Sequence, residues 1–210
     1  NGFSVFFASA FVKGGAVDGG AAENDVSGGL VKYDRETDSF SKIDILGIEP
    51  ESIEAGPSGS RLYMSTGSNS ILVYDTSNNS IEETISIPVS NLKSNDLVLS
   101  NDGLSLFVSS SESNLLSRID LATKQLIQSI DVGGLPRGFV RLGQGSKIYT
   151  LVNKGGSSFV TIIDENTNTV SQEISLGNVS TKMKSNLNNT QLWVSSEASN
   201  QIKILDIATN

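Results

Sequence analysis

Asn101-Asp102-Gly103-Leu104-Ser105-Leu106-Phe107-Val108-Ser109-Ser110, running on to Arg118-Ile119-Asp120, reads as a tight turn followed by two short strands. Gly103 supplies the positive φ that such a turn needs, and Leu106 to Ser110 alternate as a half-buried strand does. The same unit recurs. Its apolar-aromatic couplets are Val5-Phe6, Leu62-Tyr63, Leu106-Phe107, Ile148-Tyr149 and Leu192-Trp193. The aspartates that close the following strand are Asp34, Asp75, Asp120, Asp164 and Asp206, at intervals of 41, 45, 44 and 42 residues. A period of that length without helical patterning is the signature of a radial all-β array, a β-propeller.

Aligning the units on the aromatic puts Gly2, Gly59, Gly103, Gly145 and Asn189 in one turn column, and Asn69, Asn114, Ser158 and Asn200 in a second. A third strand reads Ile81 to Ile87, Gln125 to Val132 and Thr169 to Leu176, and a short fourth carries Ile53, Leu97, Phe139 and Met183. Four antiparallel strands per unit make one blade. The expectation is one domain over residues 1–210, with units at about 1–56, 57–100, 101–143, 144–187 and 188–210. The first blade should lack its inner strand and the last its outer one, so about four and a half blades are present. An arc exposes unpaired edges. A remainder, from the same polypeptide or another chain, is therefore expected, as is an upstream piece before Asn1.

The bulk numbers exclude more than they assign. Fifteen Lys and Arg against 23 Asp and Glu give a net charge of −8, which repels phosphate backbones and argues against nucleic acid. No apolar run approaches the roughly 18 residues of a membrane-spanning helix. The absence of Cys removes disulfides and thiolate chemistry, and the absence of His removes the Ser-His-Asp arrangement and His-ligated metals. No catalytic set is visible.

The stretch from Asn101 to Thr123, extended to Asp131-Val132-Gly133-Gly134-Leu135-Pro136, closely resembles the YVTN β-propeller repeat, and the resemblance covers nearly the whole chain. It is weakest in the first and fourth units, where an insertion and Lys154-Gly155-Gly156 break the pattern. It implies a larger propeller of about seven blades. Because surface-layer proteins, lactonases and quinoprotein amine dehydrogenase subunits share this superfamily, it implies fold more than activity.

Four features are candidates for function. An insertion within residues 11–28 lengthens the turn between the second and third strands of the first blade, and Asp18, Glu23 and Asp25 in it are candidate Ca²⁺ oxygens, although no EF-hand spacing is present. Glu51, Asn95, Arg137 and Thr181 stand on the loops entering the inner strands, with Asp96, Arg141, Lys182 and Lys184 beside them. Glu51, Asn95, Arg137 and Lys182 are the candidate ligand residues of this channel mouth, by charge-assisted hydrogen bonds to a carboxylate or phosphate. The other reading of these charges is that they pair with Glu51, Glu54 and Asp96 across the channel or face water. The sequons at Asn78, Asn178 and Asn188 accept glycan only in a eukaryotic secreted protein. Asp34 and its four counterparts are expected to cap turns, and Trp193 to pack between blades.

The expected function is a non-catalytic binding or structural module of an extracytoplasmic or cell-surface protein, with a protein or surface glycan as partner and no resident cofactor. The alternative is a lactonase-like or quinoprotein-dehydrogenase-like enzyme using carboxylates and a bound ion or cofactor at the channel.

Overall fold

The computed structural model describes residues 4–12, 26–45, 48, 50–89, 94–110, 112–142 and 145–207. Eighteen strands form five antiparallel sheets, and no helix occurs among the described residues. The first sheet is β1 (Ser4–Val12), β2 (Val26–Asp34) and β3 (Ser39–Asp44); the second is β4 (Ser52–Ala55), β5 (Arg61–Ser65), β6 (Ser70–Asp75) and β7 (Ser80–Ser86). The third is β8 (Ser94–Leu99), β9 (Ser105–Ser110), β10 (Leu115–Asp120) and β11 (Leu126–Asp131). The fourth is β12 (Leu135–Arg141), β13 (Lys147–Lys154), β14 (Ser157–Asp164) and β15 (Thr169–Asn178), and the fifth is β16 (Lys182–Ser185), β17 (Gln191–Ser196) and β18 (Gln201–Asp206). This is a β-propeller of five blades, three-stranded at its first and last members.

Each sheet is offset from the sequence unit by one strand. The short strand that closes a unit becomes the first strand of the next blade, and β4, β8, β12 and β16 touch one another in succession as the innermost strands. Because side chains alternate across a sheet, each blade has two apolar faces and neither is covered from within. The face that looks toward the following blade carries the aromatic column. Tyr63, Ile71 and Val73 lie under Leu97, Leu99, Leu106 and Val108, while Phe107 and Leu116 lie under Phe139 and Ile148. Tyr149, Val160 and Ile162 lie under Met183, Leu192 and Val194, and Phe6 packs on the cluster of Leu62, Met64, Leu72 and Tyr74.

The turns follow the aspartate column. Asp34 accepts backbone N–H bonds from Thr37 and Glu36, Asp75 from Ser77 and Asn78, Asp120 from Thr123 and Ala122, and Asp164 from Asn166. Those bonds hold the Asp34 and Asp120 carboxyls below their ordinary range; at Asp75 the Ser77 hydroxyl is the larger cause. Four residues after the aspartate, Asp38, Asn79, Lys124 and Asn168 adopt positive φ, which turns the chain back into the outer strand. In the glycine column Gly59, Gly103 and Asn189 have positive φ.

Two expectations are corrected. Ser158 is not a turn residue: it lies within β14, and the reversal falls earlier, at Gly155-Gly156, both at positive φ and bracketed by the Lys154 to Ser157 pair. Two consecutive glycines make the tighter two-residue hairpin available. Trp193 occupies the aromatic column, but it is 44% exposed whereas Phe107 is fully buried, because among the described residues no further sheet lies over it. Of the insertion, residues 13–25 lie outside the described residues; β1 and β2 run in register up to it, with Val12 opposite Val26.

The two aromatics should separate cleanly in a denaturation experiment. Phe107→Ala, which empties a closed interface, is expected to cost about 3–5 kcal/mol, and Trp193→Ala at the matching position about 1 kcal/mol. Urea or guanidinium midpoints with unchanged slopes provide the measurement.

Candidate functional site

The inner strands begin at one mouth of the channel and end at the other, and the two mouths differ in character. At the first, Glu51 sits on the bend before β4, exposed, with its N–H bonded to Ser65 O at 3.0 Å, and Thr181 repeats that bond to Ser195 O at 2.9 Å before β16. Arg137 is exposed within β12, where the register slips between Pro136 and Phe139 around Gly138, whose φ is 140°. Lys182 is exposed at the start of β16, opposite Ser195. Asn95 lies in β8, but its side chain is outside the described residues. Glu51, Asn95, Arg137 and Thr181 thus fall at equivalent places on consecutive blades, and Lys182 stands one residue further on. Among the described residues no ion pair joins Glu51, Arg137 and Lys182.

Deeper in, the charges are committed between blades. Asp96, at the start of the third blade, accepts the Ser52 hydroxyl of the second blade with Oδ1 and the Phe139 N–H of the fourth, at 2.9 Å, with Oδ2. Gly138 is required there by its φ of 140° rather than by space, since a Cβ would only touch Oδ2, at 3.4 Å. Glu54 accepts the Leu99 N–H at 3.1 Å. Burial, which favours the neutral acid, and the nearby Asp96 charge push the Glu54 carboxyl up; the Leu99 bond, Arg141 and Lys184 offset this only in part. Arg141 donates to Leu99 O through Nε at 3.1 Å and to Gly145 O at 3.2 Å, and it pairs with Glu165.

Glu165 forms a second latch. Its carboxylate is buried and accepts the Asn101 N–H at 3.0 Å, while its backbone oxygen accepts from Arg118 at 2.7 Å. Arg118 also binds Asn168 Oδ1 at 2.7 Å and stacks 5.1 Å from the centre of the Phe107 ring. A buried charge is tolerated only when paired and hydrogen-bonded: Arg141 of its own blade supplies the counter-charge of Glu165, and Asn101 and Arg118 bond to it from the third blade. Sequence reasoning picked out Glu54, Asp96, Arg141 and Lys184 but missed this latch. Its signal was a departure from the columns: an acid directly after Asp164, where other units carry Arg35, Thr76, Leu121 and Ile207, and an arginine two residues before Asp120.

Among the described residues no group of three or more Asp and Glu gathers as metal ligands would, and Asp18, Glu23 and Asp25 lie outside the described residues. Asn78, Asn178 and Asn188 are all exposed, the first and last in turns. No helix of the described residues is long and apolar enough to cross a membrane, which says nothing of membrane β-barrels.

Burial of Glu54 has a definite pH signature. A carboxyl raised in the folded state binds more protons there than when unfolded, so its contribution favours folding at low pH and is lost as pH rises from about 4.3 through the folded value. Glu54→Gln, which retains an acceptor for Leu99, is expected to gain stability relative to the parent as pH rises across that window. Asp120→Ala should behave oppositely: the parent's advantage is full above about pH 4 and fades as pH falls through the lowered folded value. Thermal unfolding of the three proteins over a pH series checks both signs.

No protein-family model matches the chain, and no curated protein matches it. Its fold does match a solved structure, the hydrazine synthase of Kuenenia stuttgartiensis, with a TM-score of 0.74 and 17% identity over 88% of this chain and 58% of that one. The chain therefore spans a little over half of that neighbour's length, and at this identity the likeness shows the propeller fold alone.

Proposed function

We propose that the chain is a non-catalytic binding or structural module, built on YVTN-type repeats, of an extracytoplasmic or cell-surface protein, and that it engages a protein or a surface glycan. The observation that carries this reading is the employment of the channel charges. Asp96, Glu54, Arg141, Glu165 and Arg118 each bond to a neighbouring blade, so they hold the scaffold rather than standing free for chemistry. The exposed residues Glu51, Arg137 and Lys182, with Asn95 in the matching place on β8, form the rim that a partner would meet. Loops and rims on a rigid scaffold are the usual seat of recognition. The repeat-like columns and the Ser- and Asn-rich exposed turns support the surface assignment, and the exposed sequons fit it if the source is a eukaryotic secretory pathway.

One feature supports the enzymatic alternative of lactonase or quinoprotein-dehydrogenase type: the Glu54 carboxyl is raised by burial beside Asp96, Arg141 and Lys184, and perturbed acids cluster at active sites.

Both readings meet the same experiment. The protein is expected to bind a component of a glycan array or a panel of purified surface proteins saturably, with the Arg137→Ala, Lys182→Ala double variant about 5- to 30-fold weaker, each lost rim contact contributing on the order of 0.5–1 kcal/mol. Turnover of a lactone or dye-linked oxidation of an amine, abolished in Glu54→Gln and accompanied by a stoichiometric ion or an absorbing cofactor, overturns the binding reading.

A further inference from the structure

The interface between the third and fourth blades is closed by Arg118, and the one before it is not. Arg118, opposite Phe107 in the sheet, reaches the turn of the fourth blade at Glu165 O and Asn168 Oδ1. Val73 holds the same register opposite Tyr63, and its side chain is too short to reach the matching turn of the third blade. Against that turn lies a cavity of about 360 Å³, walled by Pro57, Arg61 and Tyr63 of the second blade and by Leu104, Asp120 and Ala122 of the third. Its size is that of a small-ligand cleft, which begins at about 300 Å³. The inner strand β4 starts beside Glu51 and ends beside the turn that carries Pro57, so the cavity lies at the far end of the blades from the rim.

The polar groups of this cavity are unevenly satisfied. Tyr63 is only 7% exposed, and among the described residues nothing hydrogen-bonds to its hydroxyl. Buried polar groups are almost always bonded, so a lone hydroxyl in a cavity wall marks a partner that the chain does not supply. Burial is the main cause that pushes this hydroxyl up, which keeps it protonated and able both to donate and to accept. Asp120 spends Oδ1 on the Thr123 and Ala122 N–H groups and the Thr123 hydroxyl, and Oδ2 takes no part in that turn. Arg61 gives Nε and Nη2 to Glu82, at 2.7 and 2.6 Å, and Nη1 lies outside the pair. A ligand carboxylate would meet the Asp120 charge, and a ligand ammonium the Arg61 charge. A sugar hydroxyl both donates and accepts, so neighbouring hydroxyls on one ring meet an acceptor-only carboxylate and a donor-only guanidinium together. Pro57 and Leu104, the latter 66% exposed, offer apolar surface to the C–H face of such a ring. We propose that this cavity between the second and third blades binds one neutral pyranose unit, with its hydroxyls on Tyr63, Asp120 and Arg61 and its apolar face on Pro57 and Leu104. The site is separate from the rim, and its assignment does not rest on the binding reading of the rim.

Calorimetry and ligand-observed NMR on the whole chain test this, with the methyl glycosides of glucose, galactose, mannose and N-acetylglucosamine, a disaccharide of each, and glucuronic acid and glucosamine as charged comparators. At least one neutral glycoside is expected to bind saturably. Tyr63→Phe should weaken it about 2- to 12-fold, the loss of one neutral hydrogen bond, and Asp120→Asn, which keeps an acceptor for the turn, by at least as much. Equal affinity for a methyl glycoside and its disaccharide assigns the site to free sugar, and tighter binding of the disaccharide assigns it to a glycan chain; either result sustains the proposal. Three results overturn it: no saturable binding of any neutral probe, which leaves a water-filled cavity; affinity unchanged in both variants; or a preference for glucuronic acid or glucosamine. Tyr63→Phe should also leave the melting temperature of the sugar-free protein unchanged, and a loss comparable to that of Phe107→Ala would mean that the hydroxyl serves the fold, which overturns the proposal too. Rim binding is read through Arg137 and Lys182 and pocket binding through Tyr63, so either reading can fail alone.

Discussion

A sheet with two apolar faces cannot satisfy both by itself, and everything in this molecule follows from how that constraint is met. The second, third and fourth blades each place an aromatic and at least one aliphatic against the back of the next, so the core is a series of interfaces rather than one interior. The strands need not be long or strongly apolar. They need only repeat their register, because a slip of one residue would turn Phe107 and Leu116 away from Phe139 and leave both interfaces empty.

Polar groups reinforce the same series. Asp96, Arg141 and Glu165 are placed where hydrophobic packing gives way to the channel and the turns, and they bond mostly to backbone groups of adjacent blades. Backbone partners do not change with side-chain drift, so the bonds fix the angle between blades while leaving the apolar contacts to supply most of the stability. The outward turns are self-contained, since Asp34, Asp75, Asp120 and Asp164 each close their own loop. They stay polar and exposed without weakening the interfaces.

Much of this was legible in the residues, and the limits are physical. The aromatic column and the aspartate column are local signals repeated five times, and repetition is what lifts them above chance. Ser158 misled because the Gly155-Gly156 hairpin moves the reversal without changing the length of the unit much. Trp193 misled because a column reports register and face, whereas exposure depends on what lies beyond the face. The latch of Arg118 and Glu165 joins residues 47 apart, and only their departure from the columns hinted at it. The alignment placed Glu51, Asn95 and Arg137 at equivalent positions and Lys182 beside the fourth, but function there depends on a partner's chemistry, which a repeat does not encode.

Asp96 has a bearing on how such a molecule comes apart. Its carboxylate spans the second, third and fourth blades, so it ties together sheets that are not neighbours. In a simple stack, each unit would be coupled only to the one beside it, and unfolding could stop at any boundary. A carboxylate shared by three units penalises a break at either side of the middle one, which makes the centre of the array melt as a single cooperative block while the outer blades retain the freedom to fray.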